Sequence, residues 1–182
     1  LVSSVVSFYN RCDEVWAVSE TTAEVLHSYG YKKEVIVMPN GVTLRHAKGE
    51  AIKEIESRFG LDSEPLLLFV GQINWKKNIL RVLEAVAKLK NEDVCFKLLL
   101  AGQGPDEKEV AAKIEELGLA GYALLIGHIS NAEMLDALYA RASVFTFPSL
   151  YDNAPMVVRE AAVMGSPAVL VEGSSAAEII HD

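Results

Sequence analysis

Short apolar runs alternate with amphipathic stretches through most of this chain. Residues 66–70, 96–101, 122–126, 144–147 and 168–171 are nearly unbroken apolar runs of four to six residues. Continuous rather than alternating hydrophobicity predicts strands covered on both faces, as in a parallel sheet. Between them lie helix-length segments, 78–90, 106–117, 131–140, 155–164 and 175–181. In the first, Ile79, Val82, Leu83, Val86 and Leu89 recur at helical spacing, with Arg81, Glu84 and Lys88 on the opposite side. Asn131 is placed to cap the third, with Met134, Leu135 and Leu138 following on one face. Repeated strand–helix units imply right-handed crossovers. The expected fold class is therefore α/β, a doubly wound, Rossmann-like parallel sheet.

The first sixty residues have a different rhythm. Residues 15–18 predict a short strand, Ser19 caps a helix running to about residue 29, residues 35–38 predict a second strand, and Pro39-Asn40-Gly41 a turn. Residues 50–59 predict an exposed amphipathic helix stopped by Gly60. The regular alternation begins only at Leu66, which puts a boundary near residues 43–47. The leading piece is too small to build a core of its own.

Composition narrows the choice of partners. With 182 residues, the chain is one large domain, or one domain and a fragment. A chain of this size buries roughly 70% of the surface its unfolded form exposes, so it needs neither disulfide nor metal to fold. Cys12 and Cys95 lie far apart and form no CxxC, which favours a reducing cytoplasm. A formal net charge of −8 argues against nucleic acid as a partner, since phosphate backbones want clustered Lys and Arg. The four histidines, at 27, 46, 128 and 181, show no HxH or HExxH spacing, so no metal site is expected. No apolar run approaches the roughly 18–20 residues of a membrane span, and no signal peptide is recognisable. The chain opens on Leu1 and closes on Ile179-Ile180-His181-Asp182, which reads as a piece of something longer.

In a doubly wound sheet ligands bind outside the carboxyl ends of the strands, so the loops that follow each strand carry the candidate chemistry. Gly71-Gln72-Ile73-Asn74-Trp75-Lys76-Lys77-Asn78 offers a glycine at a strand end, amides at a helix start and a nearby lysine, a set suited to phosphate. A solvated turn with two surface lysines is the plainer alternative. Gly102-Gln103-Gly104-Pro105 lacks the third glycine of a dinucleotide fingerprint, and its glycines are expected to serve backbone geometry. His128, in Gly127-His128-Ile129-Ser130, is assigned no chemistry. The most informative loop is Pro148-Ser149-Leu150-Tyr151-Asp152-Asn153-Ala154-Pro155, leading into a helix expected to start at Asn153 or Ala154 with Pro155 in its first turn. Glu160 lies within that helix among Val157, Val158, Ala161, Ala162 and Val163. A carboxylate in such company needs a partner, and a hydroxyl-rich ligand, Arg159 or a backbone amine would each supply one.

Together these elements make the chain resemble the group 1 (family 4) retaining glycosyltransferases of the GT-B fold. The resemblance covers residues 13–182 and rests on Gly71-Gln72-Ile73 followed by Lys77-Asn78, on Gly102-Gln103-Gly104-Pro105, and on Gly127. It continues through Pro148-Ser149, Asp152, Glu160-Ala161, Gly165 and Pro167, and Pro39-Asn40-Gly41-Val42 looks like the family's interdomain linker. Each element is weak alone; in this order and spacing they are specific.

The resemblance implies a domain division and a set of roles. Residues 1–42 would be a remnant of the N-terminal acceptor domain with its linker. Residues 43–182 would be the nucleotide-sugar donor-binding domain, truncated at its C-terminus. Glu160 would accept hydrogen bonds from the donor's ribose, and Lys77 would neutralise the diphosphate. Gly71, Gln72, Asn153, Ala154 and Met156 would line the donor site, backbone near Ile129 would hold the nucleobase, and Asp152 would contact the transferred sugar. Asp152 and Lys77 are the implied catalytic residues. No metal and no cofactor is implied, a UDP-sugar being the expected donor substrate. Gln72 stands where the family has Arg, Asp152 where it usually has Glu, and Asn153-Ala154-Pro155 where many members have Gly-Phe-Gly. The acceptor would bind the missing domain, so no transferase turnover is expected from this chain alone, and its uncovered apolar surface could drive artificial dimerisation. The implied location is cytoplasmic, or peripheral to the inner face of the membrane for the full-length protein. The alternative function is a non-catalytic α/β nucleotide- or protein-binding module derived from a glycosyltransferase.

Overall fold

The computed structural model describes residues 2–179. Its centre is a five-stranded, all-parallel sheet of β3 (Leu66–Val70), β4 (Lys97–Ala101), β5 (Ala123–Gly127), β6 (Val144–Phe147) and β7 (Ala168–Leu170). The helices between them are α4 (Ile79–Asn91), α5 (Glu107–Glu116), α6 (Ala132–Arg141) and α7 (Met156–Val163). Strand order is β5-β4-β3-β6-β7. The chain builds outward from β3 through β4 to β5, then returns to the other side of β3 for β6. The reversal leaves a crevice at the carboxyl ends of β3 and β6, where open α/β sheets bind ligands.

Central strands are covered on both faces as their unbroken hydrophobicity predicts: Leu66, Leu68, Phe69, Leu98, Leu99 and Leu100 are fully buried. The outer strands depart from that expectation. Leu124 on β5 and Val169 on β7 are exposed, because each of these strands has a neighbour on one side only. Asn131 caps α6, its side chain accepting from the amides of Glu133 and Met134.

The leading segment holds α1 (Val2–Tyr9), β1 (Trp16–Ala17), α2 (Glu20–Ser28) and β2 (Ile36–Val37), with β1 and β2 paired in a separate two-stranded parallel sheet. Ser19 caps α2 through the Thr22 amide. Helix α1 was not among the sequence-predicted elements. Helix α3 (Gly49–Phe59) closes on Gly60, whose φ of 60° is the left-handed C-cap conformation. It is less exposed than predicted, since Ala51 and Ile55 enter the core. Arg141 at the end of α6 holds the region after α3, donating to Glu56 and to the carbonyls of Asp62 and Glu64.

Two local predictions are corrected. Pro39-Asn40-Gly41 forms no turn; residues 38–48 run without regular structure, drawn along the larger sheet domain by long-range bonds. Asn40 donates to the Ala154 carbonyl at 3.4 Å, and Arg45 grips Asp136 on α6. Helix α7 begins at Met156, not at Asn153 or Ala154. Proline disfavours helical geometry in the residue before it, and Pro155 itself is extended, with ψ 118°. The predicted helix at 175–181 is a 3₁₀ turn, Ala177–Ile179, as far as the described residues reach, and the rest of that prediction lies outside them. Among the described residues no helix is long and apolar enough to cross a membrane.

Candidate functional site

The loops after β3 and β4 are locked together backbone to backbone. A Cβ on Gly102 would lie 1.8 Å from the Gly71 carbonyl oxygen, and one on Gly104 would lie 2.1 Å from that of Ile73. The glycine pair therefore serves close approach, as the sequence suggested. Beyond it Asn74 caps a 3₁₀ turn, Trp75–Lys77, by accepting from the Lys77 amide, while Asp106 accepts from the Trp75 amide at 2.9 Å. The Asn74 side chain also donates to Gln72 Oε1 at 2.7 Å, which leaves the Gln72 amide group free to donate outward.

These loops floor a cavity of about 380 Å³ at the carboxyl ends of β3, β4 and β5. Gly71, Gln72, Gln103, His128, Ile129 and Val157 are among its lining residues. Its volume falls within the ~300–1,000 Å³ of small-molecule sites. Val157 belongs to the first turn of α7, which has no side-chain cap, so its leading amides are open to an anionic ligand. Met156 and Asn153 are exposed beside it.

Lys77 and Asp152 meet across the crevice between β3 and β6, with Nζ 2.5 Å from Oδ1. Both side chains are about four-fifths buried, and Lys77 Nζ also lies 5.8 Å from the centre of the Phe147 ring. Asn78 donates to the Pro148 carbonyl and Ser175 to that of Asp152, so the β6 loop is held from both sides. Asp152 Oδ2 is buried with no partner among the described residues. A buried carboxylate oxygen left unpaired is costly, and a ligand hydroxyl is the kind of group that satisfies it.

Glu160 takes its partner from a residue the sequence reading did not single out. The Tyr139 hydroxyl, from α6, donates to Glu160 Oε2 at 3.2 Å. Burial, reinforced by the Glu160 carboxylate, pushes the Tyr139 phenol well above its usual pKa, so it remains a donor. One turn earlier on α6, Asp136 receives both Nε and Nη2 of Arg45, at 2.7 and 2.8 Å. That hydrogen bonding raises the Arg45 pKa, with burial opposing it. Tyr139 could have been found by its i+3 spacing from Asp136 on a core helix, but the sequence does not say that α6 faces α7.

The predicted residues thus form three neighbouring groups. Gly71, Gln72 and Ile129 line the cavity, Lys77 pairs with Asp152 beside it, and Glu160 sits one turn below Met156 and Val157 on α7. Ala154 lines a second cavity of about 290 Å³ with Ser19, Pro39, Arg159 and Glu178, between the leading segment and the sheet domain. His128, assigned no chemistry from sequence, lines the first cavity. Among the described residues no group of three or more His, Cys, Asp or Glu side chains is placed to hold a metal.

Known proteins resemble the chain in sequence and fold. The family described as glycosyl transferases group 1 matches residues 51–182. Alpha-monoglucosyldiacylglycerol synthase of Streptococcus pneumoniae is 30% identical over 172 residues, covering 91% of this chain and 38% of that protein. A 2-deoxystreptamine glucosyltransferase of Streptomyces kanamyceticus is 29% identical over 163 residues, covering 86% of this chain and 42% of that protein. The chain thus spans well under half the length of these relatives. In structure, Anabaena HepE in complex with UDP and glucose superposes with a TM-score of 0.86 at 20% identity, over 100% of this chain and 50% of that one.

Proposed function

The chain belongs to the group 1 glycosyl transferases, and we propose that it is the donor-binding half of a retaining enzyme that transfers a sugar from a nucleoside-diphosphate sugar. The observation that carries this reading is the crevice where strand order reverses, with a cavity on one side and the Lys77–Asp152 pair spanning it. The nucleobase lies in the cavity against the backbone at Ile129, and the ribose hydroxyls face Glu160. The diphosphate is met by Lys77, the Gln72 amide and the first amides of α7. Asp152 contacts the transferred sugar, with Asn153, Ala154, Met156 and Gly71 completing the surface.

Loss of a diphosphate leaving group develops negative charge, which fixed donors and a helix N-terminus stabilise without reorganising. No metal and no cofactor enters this scheme. Neutral Gln72 in place of a charged residue puts more of the task on Lys77, since charge-assisted bonds are about twice as strong as neutral ones. Lys77 must then exchange Asp152 for phosphate when donor arrives. UDP and glucose in the similarly folded Anabaena protein support a UDP-sugar as the donor. The acceptor binds a second half that covers the crevice, and this chain alone holds donor without transferring sugar. Sugar transfer to a supplied acceptor would contradict that last point.

Thermal unfolding with UDP, GDP and ADP tests the donor site. A ligand at about 100 times its dissociation constant adds roughly 2.7 kcal/mol. At roughly 2–4 °C per kcal/mol, the expected shift is about 5–11 °C. We expect the largest shift with UDP, and its loss in Lys77→Ala. A shift that survives Lys77→Ala, or none with any nucleotide, rejects the assignment.

A further inference from the structure

We infer that Tyr139 is a positioning residue for the donor site: its hydroxyl holds Glu160 Oε2 so that Oε1 faces the ligand's ribose. This deepens the reading above and rests on Glu160 being the ribose acceptor.

Tyr139 is fully buried, and its ring packs edge-on against Phe145 of β6 at 5.5 Å between centroids. A ring fixed by a strand of the central sheet is a rigid mount for a hydroxyl. Glu160, by contrast, has a long side chain on a short helix and is only half-buried. Left alone it would sample several rotamers, and binding would have to order it. Among the described residues it makes one side-chain hydrogen bond, through Oε2 to Tyr139 at 3.2 Å. Of its two oxygens, one is therefore anchored and the other is free to accept.

Placement on α7 puts Glu160 on the side of the helix that borders the cavity. Glu160 lies three residues after Val157, so the two share a helix face, and Val157 lines the cavity. The charged groups around the pair are Asp136, on the same helix as Tyr139, and Arg45, which engages Asp136 from the connecting segment. Arg45 offsets the negative charge gathered here, while the phenol, kept protonated by burial, can only donate to the carboxylate. A tyrosine acting only as a tie between α6 and α7 would affect stability, but it would not distinguish ligands by their hydroxyls.

That difference is the test. Titration calorimetry would compare UDP with 2′,3′-dideoxy-UDP on the unmodified chain, on Tyr139→Phe and on Glu160→Gln. Tyr139→Phe keeps the buried ring and removes one oxygen. It should weaken UDP binding by ~3- to 10-fold, the loss expected for one positioned hydrogen bond. Affinity for the dideoxy analogue should change by less than about twofold, within ordinary context effects. Equal effects on both ligands, or none on either, while Glu160→Gln still weakens UDP selectively, would overturn the positioning role alone. If Glu160→Gln fails to discriminate the two ligands, or the chain binds no UDP, the ribose reading falls and this inference with it.

Discussion

Gly102 shows how little room single positions have beside the cavity. Its φ is +143°, and the nearest atom to an added Cβ is the Gly71 carbonyl oxygen rather than the end of a flexible side chain. Only backbone movement could make space. We expect Gly102→Ala to cost about 1–3 kcal/mol in urea or thermal unfolding, as overpacking does. It should also weaken nucleotide binding, because the displaced loops both line the cavity. Stability unchanged within about 0.5 kcal/mol would show that the two loops are not locked as described. Lys77 presents the opposite case, a side chain whose present partner is replaceable. Its pairing with Asp152 keeps a four-fifths-buried ammonium neutralised, and under the proposed function phosphate takes over that task.

Among the elements, the connecting segment has the most consequence for its length. Residues 38–48 have no regular structure, yet Arg45 makes a two-pronged bond with Asp136, which is 7% exposed on a core helix. Removing the guanidinium strands a buried carboxylate. Full burial of a broken pair costs about 3–5 kcal/mol. Because the Arg45 side chain is one-third exposed, Arg45→Ala should cost less, about 1–3 kcal/mol. Arg45→Lys should recover only part of that, lacking the planar fork. Denaturant unfolding of both variants checks this, and a neutral Arg45→Ala would mean the segment is not clasped to α6. Periodicity was enough to place α4, α5 and α6, because their apolar faces, and for α6 the Asn131 cap, are local features. The rule that admits proline to a first turn misplaced the start of α7, where the constraint Pro155 puts on Ala154 prevailed. Turn composition likewise predicted a reversal at Pro39-Asn40-Gly41, where bonds to Ala154 and Asp136 instead draw the segment along the sheet domain.

At the scale of the whole molecule, unbroken apolar strands announced a parallel sheet, and motif order identified the family; neither revealed the pairing across the sheet. Lys77 and Asp152 are 75 residues apart and meet because the strand order reverses between β3 and β6. Tyr139 and Glu160 are 21 residues apart on helices whose facing surfaces only packing decides. Such contacts depend on topology, so candidate residues could be singled out in the sequence while their partners could not. Under the proposed function this crevice binds the donor nucleotide. Backbone-amide NMR during titration with UDP tests it most directly. We expect shifts concentrated at Gly71, Gln72, Lys77, Ile129, Met156 and Val157, with β1 and α1 unmoved. Shifts centred on the leading segment or on the second cavity at Arg159, or none at saturating UDP, would contradict it.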